Sequence, residues 1–235
     1  MIPKFIFKTS WHPKDSLPDE IKKVISITQK LNPEYEIKYF DDNDCLEFMK
    51  NYSEDVYNCY LKLKPGAFKA DFWRYCILYL YGGVYSDIGH IPLISFDKII
   101  NGTSLVLVKE IKDYGIHNGL ICCEPGNQLM KLAIDKCIEN IKNNYYGNSD
   151  IEVTGPKMLG QIFENLCVGN LGIKLLQHHR HKKIVDISSK GGKVVINCKF
   201  PNYQEIMYPY NSLDYHILWN NKDIYNNYNG MFKEL

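Results

Sequence analysis

The feature that most limits what this chain can fold into is a joint. In "KPGAFKADFWRYCILYLYGGVYSDIGH", residues 64–90, an apolar run of helical character meets two glycines and leaves as a short strand-like segment. Proline favours a first helical turn and glycine a helix end, so the spacing predicts a helix starting at Pro65 and closed by Gly82. Phe68, Phe72, Tyr75, Cys76 and Tyr79 fall on one face of it. Asp71 and Arg74, three residues apart, project together from a neighbouring face. On a solvated face such a pair contributes only ~0.2–1 kcal/mol. Here its neighbours are Phe72, Trp73 and Tyr75, and an ion pair in an aromatic, half-buried setting calls for a further partner. The twin glycines allow either a tight turn or close backbone approach to a ligand. The strand that follows, "VYSDI", carries Asp87 next to its end.

The segments around this joint alternate. "PKFIFKTSW" is a strand ending in small hydroxyl residues, as the first strand of an α/β sheet does where it meets a crevice. Residues 16–33 form a helix that Ser16 or Asp19 can cap, with Ile21, Val24, Ile25 and Leu31 as its apolar stripe and Asn32-Pro33 as its stop. "YEIKYF" is a second strand, and "DDND" both turns the chain and caps the next helix. "SLVLVKE" and "NGLICCE" read as strands, "NQLMKLAIDKCIENIKNN" as an amphipathic helix, and "VTGPKMLGQIFENL" as a turn and helix set by Gly155-Pro156. From about Lys174 the chain is richer in Asn, Tyr and His and holds short strands, "KKIVDIS" and "KVVINCKF". Strand–helix alternation predicts an α/β fold with a mixed central sheet. No repeat or linker interrupts it, so residues 1–235 read as a single domain.

Composition removes several classes. A formal net charge of +1 and a pI near 7.5 give no electrostatic case for nucleic acid. No apolar run approaches the ~18 residues of a membrane span, and "MIPKFIFKTSW" is too interrupted for a secretion signal. The eight cysteines lack zinc-site spacing and sit in apolar runs, as Cys76, Cys122 and Cys123 do. Free buried thiols and a cytoplasmic protein are the expectation. No G-x-G-x-x-G opens the first strand–helix turn, which disfavours a dinucleotide-dependent dehydrogenase.

Residues 65–88 resemble the core motif of glycosyltransferase family 32, DXD-motif sugar transferases that include the yeast initiating mannosyltransferase and are more distantly related to the clostridial glucosylating toxins. The pattern is an acid, an Arg three residues on, a Tyr-Gly-Gly turn, then aliphatic-Tyr-x-Asp-x-Asp. "IPKFIFKTSW", "LNPEYEIKYFDDND", "IHNGLICCEPGN" and "VTGPKML" match further family segments in order, up to about Leu159, and "YHILW" matches a C-terminal one less closely. The resemblance implies a GT-A type, Rossmann-like fold. Residues 1–125 would be the nucleotide-sugar-binding half, and 126–235 the acceptor side and C-terminal segment. It implies sugar transfer, with retention, from a nucleotide-diphosphate sugar (UDP- or GDP-linked) to a hydroxyl of a glycan, glycolipid or glycoprotein, with Mn2+ or Mg2+ as cofactor. Carried over by position, Asp71, Arg74 and Asp87 are the catalytic set and also contact the donor. Thr9, Trp11, Gly83, Asn118 and Trp219 complete the donor-binding set.

Gly89 is the departure, because it stands where the second Asp of the motif would hold a metal. On a strand, residues 87 and 89 share a face and His90 lies on the other. His90 then reaches the site only through a bulge or turn at Gly89. Three readings stay open: Asp87 with His90 or His216 holds the ion, the diphosphate is neutralised without a tightly bound ion, or the protein binds donor without turning it over. The last makes a non-catalytic donor-binding or carbohydrate-recognition module the alternative to an enzyme. In "HHRH", residues 178–181, only His179 and His181 would share a face. With Arg180 they read as surface or phosphate contacts rather than as a metal site.

Overall fold

The structure is a computed structural model describing residues 1–111, 115–166, 172–179, 182–188, 190–208 and 214–226. Arg180, His181 and Cys167 lie outside the described residues. In chain order the elements are β1 (Phe5–Thr9), α1 (Asp19–Leu31), β2 (Glu36–Phe40), α2 (Asp42–Tyr52), α3 (Glu54–Lys62), α4 (Gly66–Tyr81) and β3 (Gly83–Ser86). Then follow β4 (Ile91–Pro92), α5 (Phe96–Ile100), β5 (Leu105–Lys109), β6 (Leu120–Cys123), α6 (Gln128–Lys142) and α7 (Pro156–Asn165). The last are β7 (Ile173–His179), β8 (Lys183–Asp186), β9 (Lys193–Asn197), α8 (Tyr203–Met207) and α9 (Tyr215–Asn220).

Among the described residues the nine strands form one sheet in the order β2-β1-β3-β6-β5-β7-β8-β9-β4. β1 pairs in parallel with β2 and β3, and β5 with β7, while β6 runs antiparallel to both β3 and β5. Both halves of the chain supply strands to this mixed sheet. The pairing decides where chemistry gathers. The C-terminal ends of β1, β3, β5 and β7 and the start of β6 all reach the same edge, the edge where open α/β sheets bind ligands.

Alternation along the strands puts the two largest core clusters on opposite faces of the sheet. Phe7, Tyr85, Leu107, Ile121 and Cys123 face the helices α2, α3, α4, α6 and α7. Ile6, Val84, Val106, Val108, Leu120 and Cys122 face α5 on the other side. α4 lies within the first layer and is buried on more than its predicted face, with Phe72, Trp73, Arg74, Tyr75, Cys76, Ile77 and Leu78 all inaccessible or nearly so. Seven cysteines are described, and all are free and buried.

The joint forms as its sequence requires. Gly82 ends α4 with φ +61°, and its N–H donates to Leu78 O at 2.8 Å. Gly83 continues at φ +98°. A Cβ on Gly82 would lie 2.6 Å from Pro125 N and 2.9 Å from Cys123 O, so the turn needs glycine for space as well as for φ. Asp41 makes the capping box of α2 with Asp44. α1 departs from expectation: its N-cap is Pro18, without a side-chain cap, and Ser16 sits in a short 3-10 turn. Asp19 is the first helical residue, where its charge complements the helix dipole. Ile21 and Val24 are buried as expected, whereas Ile25 and Leu31 are only half-buried.

The larger correction concerns residues 87–90. β3 ends at Ser86, and the chain turns, with His90 N–H donating to Asp87 O at 2.9 Å. Strand alternation therefore does not apply to Gly89 and His90. Gly82→Ala should destabilise the fold by about 2 kcal/mol or more, since it adds both backbone strain and a backbone clash. Urea unfolding measures this, and a loss under about 0.5 kcal/mol would contradict the account of the joint.

Candidate active site

A cavity of about 520 Å³ opens at this sheet edge, within the size range of small-molecule sites. β1 brings Thr9 and, just past its end, Trp11. α4 brings Asp71 and Arg74, β3 brings Tyr85 and, one residue beyond it, Asp87, and the approach to β6 brings His117 and Asn118. Residues after 126 line the other wall, among them Asp150, Gly155, Tyr203 and Tyr215.

Arg74 organises the floor. Its Nε donates to Ala70 O at 3.2 Å and its Nη1 to Asn118 O at 2.8 Å. Asp71 Oδ1 lies 3.4 Å and Asp87 Oδ1 3.7 Å from its terminal nitrogens. The guanidinium carbon sits 4.3 Å above the centre of the Tyr85 ring. Asp71 also accepts from Asn118 Nδ2 at 2.8 Å and Thr154 Oγ1 at 3.1 Å, and Asp87 from the Tyr85 hydroxyl at 2.8 Å. The two acids are shifted in opposite directions. Burial raises Asp71 to about 6, beyond what Arg74, Thr154 and Asn118 offset. Burial also opposes ionisation of Asp87, but Arg74, His90, His117 and the Tyr85 hydroxyl outweigh it and hold Asp87 at about 2. Beneath the turn, the buried Lys8 donates to Asp87 O at 3.1 Å, and desolvation brings its pKa down to about 7.

Of the expected donor set, Thr9, Trp11, Asp71, Arg74, Asp87 and Asn118 line one cavity. Thr9 Oγ1 donates to Phe40 O at 2.8 Å, and Trp11 Nε1 to Met207 O at 3.1 Å. Gly83, His90, Trp219 and His216 are not in its wall. Gly83 packs against Phe5, and Trp219 Nε1 donates to Tyr146 O at 2.7 Å. His216 is drawn away from Asp87 by an ion pair with Asp150.

His90 does meet Asp87, because of the turn, and a third residue joins them. Asp87, His90 and His117 each offer a ligand atom, all within 4.8 Å of one another. His117 had no role in the sequence reading, nor did Glu110, whose Oε1 lies 2.8 Å from His117 Nδ1 and whose Oε2 lies 2.8 Å from His178 Nδ1. The His117 and His178 rings stack at 4.5 Å between centroids. In "HHRH" it is thus His178, not His179, that faces Glu110. The signal for His117 lay beside Asn118 in "IHNG", but only the β5–β6 pairing shows which way it points.

Two observations test whether these residues suit a divalent ion. His117 Nε2 is buried and makes no hydrogen bond. Over Gly119 the two donors converge: a Cβ there would lie 2.5 Å from Asp87 Oδ2 and 2.6 Å from His117 Nε2, too close for a side chain, so glycine is what lets both atoms approach. An orphaned imidazole nitrogen and a carboxylate oxygen that converge on one point are a donor set that fits a cation.

Comparison with known proteins agrees with the geometry. Residues 18–106 match the family described as the glycosyltransferase sugar-binding region containing a DXD motif. An uncharacterized glycosyltransferase of Acanthamoeba polyphaga mimivirus is 36% identical over 88 residues, 37% of this chain and 35% of that protein. The initiation-specific alpha-1,6-mannosyltransferase of Candida albicans is 32% identical over 114 residues, 46% of this chain and 29% of that protein. The matched stretch thus spans about a third of the length of these relatives. The solved PaToxG glycosyltransferase superposes with a TM-score of 0.52 at 19% identity, over 70% of each chain. Residues 18–106 are thus similar to DXD-type sugar-binding regions, and the mixed α/β fold is that of GT-A glycosyltransferase domains.

Within that region the motif reads Asp87-Ile88-Gly89. A Cβ on Gly89 would lie 2.5 Å from the Tyr203 ring and 2.8 Å from Cys198 O. A carboxylate at 89 has no space, so restoring it does not restore a metal ligand. Gly89→Asp should lower the thermal midpoint by several degrees and add no divalent-ion affinity. A folded Gly89→Asp protein that binds Mn2+ more tightly than wild type would refute this.

Proposed function

We propose that the chain transfers a sugar from a nucleotide-diphosphate sugar to a hydroxyl of a glycan, glycolipid or glycoprotein, with retention of configuration. The observation that carries this reading is the lattice of Asp71, Arg74, Asp87 and Asn118 on the cavity floor, three of its four members within the DXD-type region. Sugar hydroxyls need paired carboxylate and guanidinium partners to fix their orientation, and the lattice presents them pre-ordered. Thr9 and Trp11, at the end of β1, flank the nucleotide. On this reading Tyr203, Asp150 and Tyr215 form the wall on the acceptor side, and the halves 1–125 and 126–235 serve one site as one domain.

Charge sets the main requirement. The cavity is lined by Asp42, Asp71, Asp87, Asp150 and Asp214, against Lys64 and Arg74. Lys64 is already paired with Asp223, and Arg74 with two of these acids. A diphosphate entering such a site meets net repulsion. A divalent ion, which DXD-type transferases generally bind, supplies when bound the positive charge that a departing diphosphate needs. Asp87 is the acid of the motif that remains to hold it, with His90 and His117 beside it. Gly89 favours one second reading: a site without that ion would bind donor and not turn it over.

Calorimetric titration with UDP- and GDP-sugars, with a divalent ion present, tests the proposal. One of them should bind saturably, and Arg74→Lys should weaken it by about tenfold or more, because an ammonium cannot serve Asn118 O and both acids at once. Asp71 accepts the stronger, charge-assisted hydrogen bonds from a sugar as the carboxylate, so affinity should fall as pH drops through about 6. Asp71→Asn should remove that dependence. If no nucleotide sugar binds the folded protein, the reading fails. Donor binding without hydrolysis or transfer selects the non-catalytic alternative.

A further inference from the structure

We infer that Asp87, His90 and His117 form a mixed carboxylate–imidazole site for a borderline divalent ion of the Zn2+ or Co2+ type, with Glu110 positioning His117. The donors come from two elements that the sheet brings together. Asp87 and His90 belong to the turn after β3, and His117 to the segment entering β6, where Asp87 N–H donates to Gly119 O at 2.8 Å.

Protonation geometry separates this site from its neighbour. Glu110, His117 and His178 also lie close enough to share an ion. There, however, the facing atoms are already satisfied, since Glu110 takes one imidazole nitrogen on each oxygen at 2.8 Å. That contact places the proton of His117 on Nδ1 and leaves Nε2 as a lone pair. Nε2 is the buried atom without a partner, and it converges with Asp87 Oδ2 over the bare Cα of Gly119. A carboxylate behind a ligating histidine is the arrangement that fixes ring orientation and raises ligand basicity. Asp87 Oδ1 is occupied by the Tyr85 hydroxyl and Arg74, so Oδ2 is the oxygen available to an ion. His90 Nδ1 lies 3.3 Å from Ser86 Oγ, which leaves its other nitrogen for the group.

Two imidazoles for one carboxylate change the ion class. Carboxylates suit Mg2+ and Mn2+, whereas imidazole suits Zn2+, Co2+ and their neighbours. With three protein ligands, positions stay open for exogenous oxygens. Their use by a diphosphate rests on the function proposed above. Binding of the ion itself does not.

The test uses chelator-stripped full-length protein titrated with Co2+, followed by visible absorption, and with Zn2+ and Mg2+ by calorimetry, all without donor. One Co2+ per chain should bind, with the d–d absorption of a nitrogen-ligated ion, and Mg2+ should bind at least about 100-fold more weakly. Folding of each variant is checked by circular dichroism. His117→Ala and Asp87→Asn should each cost about 100-fold in Co2+ affinity. Glu110→Gln should cost ~10–100-fold while keeping the absorption bands, as loss of an outer carboxylate does. Gly119→Ala, which places a methyl group between the donors, should also weaken binding, and it tests the site independently should His117→Ala not fold. His178→Ala should stay within a few-fold of wild type. Absence of saturable Co2+ or Zn2+ binding by wild type overturns the inference. So does unchanged affinity in folded His117→Ala, or a loss confined to His178→Ala. Ion binding in a protein that takes up no nucleotide sugar would leave this site standing and remove the transferase reading.

Discussion

The buried guanidinium of Arg74 is the group on which the arrangement of the site depends. It is 6% exposed, among Phe72, Trp73 and Tyr75, and a charge left unpaired there would cost several kcal/mol. Each direction it faces is filled: Ala70 O and Asn118 O by hydrogen bonds, Asp71 and Asp87 by charge, and Tyr85 by its ring face. These partners come from α4, β3 and the approach to β6. One charge thus fixes the register of a helix, a strand end and a loop at the sheet edge. It also keeps the pKa of Asp87 down at about 2 while burial leaves that of Asp71 up at about 6, which gives two carboxylates of different character on one floor.

What the sequence revealed was mostly local. The helix from Pro65 to Gly82, the twin-glycine joint and the pairing of Asp71 with Arg74 are set by spacings of one to four residues, and the structure has them. The resemblance placed Asp87 at the same edge, as the ordered match of neighbouring segments requires. The turn at 87–90 was illegible because its cause is distant. Gly89 is pressed by Cys198 O and the Tyr203 ring, more than a hundred residues on. His117, Glu110 and His178 were missed for a related reason: they meet only once β6 folds back on β5 and β7 crosses to lie parallel to it. Lys8 looked like an ordinary strand residue, and its burial under Asp87 depends on pairing between β1 and β3. Trp219 and His216 were carried over by resemblance alone, and their partners, Tyr146 O and Asp150, are set by packing of α9.

The missing carboxylate and the acid-rich lining pull the same way. Losing an Asp at position 89 removes one negative charge and one ligand, and the turn that fills its place delivers His90 instead. On the reading proposed above, the site offers nitrogen donors in place of a second carboxylate oxygen and keeps its need for positive charge. Departures from a family pattern of this kind are compensated by neighbours in space, which is why the motif alone misjudges them.

The central claim is that Arg74 couples Asp71 and Asp87 into one donor-binding unit. A double-mutant cycle of Asp71→Asn and Asp87→Asn, with nucleotide-sugar affinity measured by calorimetry at pH 7.5 (about 1.5 units above the Asp71 transition), tests it most directly. The account predicts that each single substitution weakens binding and that the double loses less than their sum, with a coupling of about 1 kcal/mol or more. Additivity within about 0.3–0.5 kcal/mol in folded proteins would contradict it.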